Sequence, residues 1–135
     1  MTTNKINLRN QKIALEKVTF ERKDFITKTI KVLIIDAIEN VSIDGQSLSF
    51  LVKRKVALDP QSVFDLEIVF SYSASIDEES YKIILSEGKE LTENNLISIV
   101  NNSYIPQTAS MIISNLTSIN GGNPLITPPV FCKNK

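Results

Sequence analysis

The clearest pattern in the chain is an alternation from Val63 to Ile76. Phe64, Leu66, Ile68, Phe70, Tyr72, Ala74 and Ile76 fall in one phase, and Asp65, Glu67, Ser71, Ser73 and Ser75 fall in the other. A period of two puts these sets on opposite faces of a β-strand, and the serine-rich face predicts an antiparallel sheet with one side in a core and the other nearer water. Upstream, Leu48, Phe50, Val52, Val56 and Leu58 share one phase, interrupted by Arg54. Asp59-Pro60-Gln61 supplies a turn, so these two segments read as a hairpin. Downstream, Asp77-Glu78-Glu79-Ser80 reads as a turn into a third strand carrying Tyr81, Ile83 and Leu85 and ended by Gly88.

Near the start, Ile13 and Leu15 occupy one phase and Val18 and Phe20 the other, so a strand here needs a β-bulge near Glu16-Lys17 to keep all four on the core side. The segment from Thr27 to Ser42 fits two elements. Ile30, Leu33, Ile34, Ala37, Ile38 and Val41 have helical spacing, while β-branched content and Asp44-Gly45 favour a strand turning back through a tight hairpin, towards which the balance leans. Helical signals begin with Thr92 as N-cap and Glu93 in the first turn, and Leu96, Ile97, Val100 and Tyr104 follow. Pro106 predicts a kink or break near Asn102 to Ile105. Beyond it, Ala109, Ile112, Ile113, Leu116 and Ile119 continue the stripe to a C-cap at Gly121 or Gly122. Ser110, Ser114, Thr117 and Ser118 are read as the opposite face, small enough for another helix to approach and so a candidate oligomer contact. The expected architecture is α+β: an antiparallel sheet of about four strands packed on a long Pro-interrupted C-terminal helix, in one domain spanning 1–135.

Composition narrows the function. With 15 basic and 15 acidic residues the chain carries no net field to draw in nucleic acid, and no nucleic-acid partner is expected. The absence of histidine removes the commonest general base and metal ligand, and no phosphate-binding glycine motif is present. No enzyme activity, cofactor or metal is expected. The single cysteine, Cys132, excludes an intrachain disulfide and fits a reducing compartment. The polar start, Met1-Thr2-Thr3-Asn4-Lys5, and the short longest apolar run, Val32-Leu33-Ile34-Ile35, predict neither secretion nor membrane insertion. A cytoplasmic protein is expected, and the Asn115-Leu116-Thr117 sequon is then idle.

The order of elements resembles that of the SecB family of export chaperones. Val18-Thr19-Phe20-Glu21 is similar to the end of that family's first strand, and Tyr104 and Pro106 match its Tyr-x-Pro helix start. Ala109, Ile113, Ser114, Leu116 and Ser118 fall on its main helix. Leu125, Pro129, Val130 and Phe131 resemble its Leu-x-Leu-x-Pro-Val-x-Phe strip, with one residue missing before the phenylalanine. The resemblance covers about a quarter of the chain. It implies a divergent SecB-like chaperone for protein export and translocation, which binds unfolded polypeptide clients in apolar grooves without ATP and assembles as a homodimer or homotetramer. A SecA-type motor is the family's further partner, but the family's docking tail does not follow the strip here, where the sequence continues only as Cys132-Lys133-Asn134-Lys135. The resemblance places Phe20, Tyr104, Leu125, Ile126, Val130 and Phe131 along the client groove. A dedicated escort in a toxin–antitoxin or single-client system, and a non-chaperone scaffold or adaptor, are the alternatives.

Several residues have plainer readings. The strip from Leu125 to Phe131 reads either as a groove wall or as a strap on the protein's own sheet. Lys53-Arg54-Lys55 reads as a solvated strand face, partly balanced by Asp65 and Glu67 across the hairpin. Glu78-Glu79 reads as a pair of solvated turn carboxylates, and Cys132 as an inert or exposed thiol.

Overall fold

A computed structural model describes residues 7–22, 31–59, 64–86, 89–118 and 124–131. Four long strands form one antiparallel sheet: β1 (Leu8–Arg22), β2 (Lys31–Asp44), β3 (Ser47–Asp59) and β4 (Phe64–Ile76). Their spatial order is β1-β4-β3-β2, so the first two strands in sequence are the two edges. Helices α1 (Glu78–Ser86), α2 (Lys89–Asn101) and α3 (Ile105–Ser118) follow.

The alternation has the consequence expected of it. Leu66, Ile68, Phe70, Tyr72, Ala74 and Ile76 of β4 are buried, as are Leu48, Phe50, Val52 and Val56 of β3. Leu96 and Val100 of α2, and Ile105, Ala109 and Ile113 of α3, complete the core with Phe131. Phe50 and Tyr72, opposite each other in the ladder, stack at 4.8 Å between ring centroids. Burial pushes the Tyr72 hydroxyl up to about 12, and it donates to Gln11 Oε1 at 2.8 Å.

Edge strands depart from ideal register where the sequence allows it. The expected bulge lies between Leu15 and Lys17, and it keeps Ile13, Leu15, Val18 and Phe20 opposite Tyr72, Phe70, Ile68 and Leu66. On this outermost strand, however, Leu15 and Val18 remain exposed, because the core ends at Ile13 and Phe20, which are half-buried. Two further register shifts, between Arg9 and Lys12 and between Glu39 and Ser42, contain Asn10 and Asn40 with φ near +55°. Asparagine is among the few non-glycine residues that accept this left-handed geometry. The β2–β3 hairpin turns at Gly45, whose φ of 58° explains the Asp44-Gly45 pair. The strand reading of residues 31–42 is therefore the correct one; Thr27 to Ile30 lie outside the described residues, as do Pro60, Gln61, Gly88, Ile119, Gly121, Gly122 and Cys132.

Two expectations are corrected. The segment with Tyr81, Ile83 and Leu85 is helix α1, not a third meander strand, and β4 pairs with β1 instead. Tyr81, Ile84 and Leu85 also fit helical spacing, and Asp77 decides between the readings as N-cap: its Oδ1 accepts the Ser80 N–H at 2.7 Å. Glu78 and Glu79 occupy the first turn, where the helix dipole favours them. Secondly, α2 starts at Lys89 rather than at a Thr92 cap, because Lys89-Glu90-Leu91 are themselves good helix formers. The break expected near Asn102 to Ile105 is present: α2 ends at Asn101 and α3 begins at Ile105, and Pro106 sits in the first turn of α3, where its missing N–H leaves no bond unmade.

The Asp77 cap also ties down the beginning of the sheet. Asn7 donates its side-chain amide to Asp77 Oδ2 at 2.9 Å and its backbone N–H to the buried Ser80 hydroxyl at 2.8 Å. Hydrogen bonds from Ser80 and Asn7, aided by the charge of Arg9, lower the Asp77 pKa from 3.8 to about 2. A depressed folded-state pKa means that the stabilisation is complete above 3.8 and is lost as pH falls towards 2. Urea unfolding of the protein and of Asp77→Asn should therefore differ at about pH 5 and converge near pH 2. A gap independent of pH would show that the carboxylate charge is not what ties Asn7 to the helix.

Candidate functional site

On the helix side of the sheet, residues 124–131 run as an extended strap between α3 and the β2–β3 hairpin, and one buried arginine organises them. Arg54 is in phase with Phe50, Val52 and Val56, so the ladder turns it inward, and it is 1% exposed. Directly opposite on β2 is Asp36, also buried. Arg54 Nε donates to Asp36 Oδ1 at 2.7 Å and Nη2 to Oδ2 at 3.0 Å, a bidentate pair. The remaining donors serve the strap: Nη1 reaches Pro128 O at 2.6 Å and Thr127 Oγ1 at 3.2 Å, and Nη2 reaches Val130 O at 2.8 Å. Its guanidinium carbon lies 4.4 Å from the centroid of the Phe131 ring, a cation–π contact in the core. All five N–H groups of the fork are used, which a lysine could not reproduce.

The helices complete the grip. Thr117 Oγ1 accepts the Leu125 N–H at 2.7 Å, and Ser110 Oγ lies 3.0 Å from Thr127 O and 3.1 Å from Pro128 O, donating between them. Asn101, at the end of α2, pairs with the backbone of Phe131 on both sides: Nδ2 donates to its carbonyl at 3.0 Å and Oδ1 accepts its N–H at 2.7 Å. Thr127 is buried and Leu125 half-buried, whereas Pro128 and Pro129 face outward. Ile126 is 75% exposed and Val130 47%. The strap thus points its backbone inward at polar side chains and alternate apolar side chains outward. A second depression, on the opposite face beside the Asn10 bulge, measures about 560 Å³ and is lined mainly by Asn10, Gln11, Lys12, Ser47, Ser73 and Ser75. Its lining is mixed polar and apolar and holds no paired acid and base.

Comparison with known proteins finds no match by sequence, either to a family model or to a curated protein. Solved structures do match. The SecB-like chaperone of Mycobacterium tuberculosis, determined in complex with a ChAD peptide from the HigA1 antitoxin, aligns over 93% of this chain and 88% of its own with a TM-score of 0.59 and 13% identity. A protein of unknown function from Streptococcus agalactiae aligns over 93% of this chain and 99% of its own with a TM-score of 0.51 and 10% identity. The fold is SecB-like.

Within this SecB-like fold the residues expected along a client groove separate into two groups. Tyr104, Ile126 and Val130 are exposed apolar positions. Phe131 belongs to the core at 3% exposure, while Leu125 and Phe20 are half-buried and pack against that core. Phe131 is thus a fixed anchor of the strap and presents no groove surface, and of the two readings of the strip, the strap describes its inner face. The small polar face of α3 is likewise engaged inside the chain. Ser110 and Thr117 hold the strap, Thr117 also donates to Ile113 O at 2.8 Å, and Ser118 donates to Asn115 O at 3.0 Å; Ser114 is half-buried. Ser110 and Thr117 therefore do not form a free helix face.

Arg54 corrects the reading of Lys53-Arg54-Lys55 as a solvated triplet. Only its neighbours face outward: Lys53 bridges Glu39 at 3.2 Å, and Lys55 stands opposite Glu67. The signal was present in the sequence, since Asp36 shares a phase with Val32, Ile34 and Ile38 as Arg54 does with its own strand. Opposite charges at core positions of adjacent strands predict a buried pair. Asn101 and Thr127 carry no comparable signal, because their roles depend on where the strap crosses. Among the described residues no group of three or more His, Cys, Asp and Glu side chains is placed to hold a metal, and no helix is long and apolar enough to cross a membrane.

Proposed function

We propose that this chain is an ATP-independent chaperone that binds unfolded or extended polypeptide through exposed apolar surface on the helix side of its sheet. The observation that carries the reading is the SecB-like fold, shared with a chaperone that was determined holding an antitoxin peptide. Exposed Tyr104, Met111, Ile126 and Val130, with Leu15 and Val18 at the β1 edge, supply apolar area of the kind an unfolded client would cover. The same neighbour supports a narrower role as escort to one toxin–antitoxin partner, recognisable by a single protein that co-purifies in fixed ratio. The whole chain, 1–135, acts as one SecB-like domain, associates into a homodimer or homotetramer and works in the cytoplasm; handover to a SecA-type motor is a further step in export. Purified protein is expected to suppress the aggregation of a denatured client in a light-scattering assay. Ile126→Ser with Val130→Ser should weaken suppression at least about threefold without lowering the melting temperature, since exposed substitutions shift stability by only about 0.5 kcal/mol. No suppression at molar excess of the wild type overturns the reading.

A further inference from the structure

The strap is held as a peptide-binding protein holds a ligand. The polar groups that meet it address Leu125 N–H, the carbonyls of Thr127, Pro128 and Val130, and both backbone groups of Phe131; the one strap side chain in the network is the Thr127 hydroxyl. Contacts to backbone are the same for any sequence, and they are the means by which extended peptides are bound with little regard to side chains. Only Phe131 and Thr127 are deeply buried, so the groove selects one aromatic residue and, four positions before it, one small residue. Pro128 and Pro129 are exposed, so the groove makes no demand on the side chains at these two positions.

We propose that residues 124–131 occupy, in cis, a groove that also takes extended segments of other polypeptides in trans, anchored by an aromatic side chain under Arg54. The nature of the ligand rests on the function proposed above. Exchange is one for one. With the strap lifted and nothing in its place, Arg54 would keep Asp36 but lose its strap acceptors, Asn101 would lose both its partners and the core would lose Phe131, so the empty groove is disfavoured and a second extended chain restores the backbone contacts. The strap therefore sets a threshold: a ligand's apparent affinity is its intrinsic affinity reduced by the fraction of molecules in which the strap is displaced.

The probe is a fluorescein-labelled peptide with the sequence of residues 124–131, titrated into the full chain. Phe131→Leu weakens the cis occupant and leaves the groove intact, so the peptide is expected to bind it about tenfold more tightly than it binds the wild type. The same peptide with its phenylalanine changed to alanine should bind about tenfold more weakly to both. A lock gives an independent arm. The Ser110 and Thr127 hydroxyl oxygens are 3.0 Å apart, so Ser110→Cys with Thr127→Cys, in a Cys132→Ser background, places two thiols to close the strap down. The oxidised protein should not bind the peptide, and reduction should restore binding. Equal binding by locked and reduced protein overturns the proposal, as does no binding by a Phe131→Leu chain whose circular dichroism is native; if that variant is unfolded, the lock decides alone. Aggregation suppression that survives the lock also overturns this inference while sparing the chaperone reading. Strap-peptide binding by a protein that suppresses no aggregation supports the groove and overturns the chaperone reading instead.

Discussion

Arg54→Ala is expected to destabilise the protein by about 3–5 kcal/mol, the range for removing one partner of a buried ion pair. The loss has three physical sources. Asp36 is left as a buried carboxylate without its bidentate partner, the carbonyls of Pro128 and Val130 lose the arginine as donor, only the first keeping Ser110, and the Phe131 ring loses the cation above it. Arg54→Lys should recover only part of the loss, because a single ammonium cannot serve a carboxylate on one side and two carbonyls on the other. Replacing both members, Asp36→Leu with Arg54→Leu, removes the buried carboxylate as well and should cost less than Arg54→Ala alone, although the Val130 carbonyl still loses its arginine donor. Urea unfolding midpoints for the four proteins rank these effects. A loss below about 1 kcal/mol for Arg54→Ala would match a surface pair and contradict the burial of this one.

Phe131→Ala is expected to cost about 3 kcal/mol, the lower end for a large aromatic removed from a core. The low end applies because the strap reaches the core from one side and the backbone clamp of Asn101 persists when the ring is gone. Its control is Ile126→Ala, five residues earlier on the same strap, which should change stability by no more than about 0.5 kcal/mol because that side chain is already in water. Thermal or urea unfolding of the pair tests the assignment of inner and outer strap faces. Equal effects would mean that the alternation of burial along the strap is wrong. Limited proteolysis should report the same difference locally, with Phe131→Ala cleaved sooner near residues 124–131 and Ile126→Ala cleaved no faster than wild type.

Much of the sheet was legible because its information is local. The alternation in β4 fixes which side chains are buried, Asp44-Gly45 fixes a turn, and the phase change after Leu15 fixes a bulge. Helix α1 was misread because Tyr81, Ile83 and Leu85 alternate as a strand would, while the competing signal lay before them, in a capping aspartate and two first-turn glutamates. The site was only half legible. That an apolar, proline-rich strip follows the last helix is plain from composition, but which side of it faces inward is settled by Arg54 and Asn101, residues distant in sequence from the strip they hold. Phe131 looked like surface for a partner for the same reason that it makes a good anchor, being the largest apolar side chain at the end of an otherwise small-featured segment.

The wiring of Arg54 also sets an order of events during synthesis. A ribosome delivers the four strands first, with Asp36 and Arg54 on neighbouring strands, and the segment that roofs them emerges only after the helices, separated from the arginine by more than seventy residues. Contacts of such long range close late in folding. The nascent sheet is thus expected to wait, its polar pair uncovered and one oily face unfinished, until the aromatic plug beyond the last helix arrives to seal it.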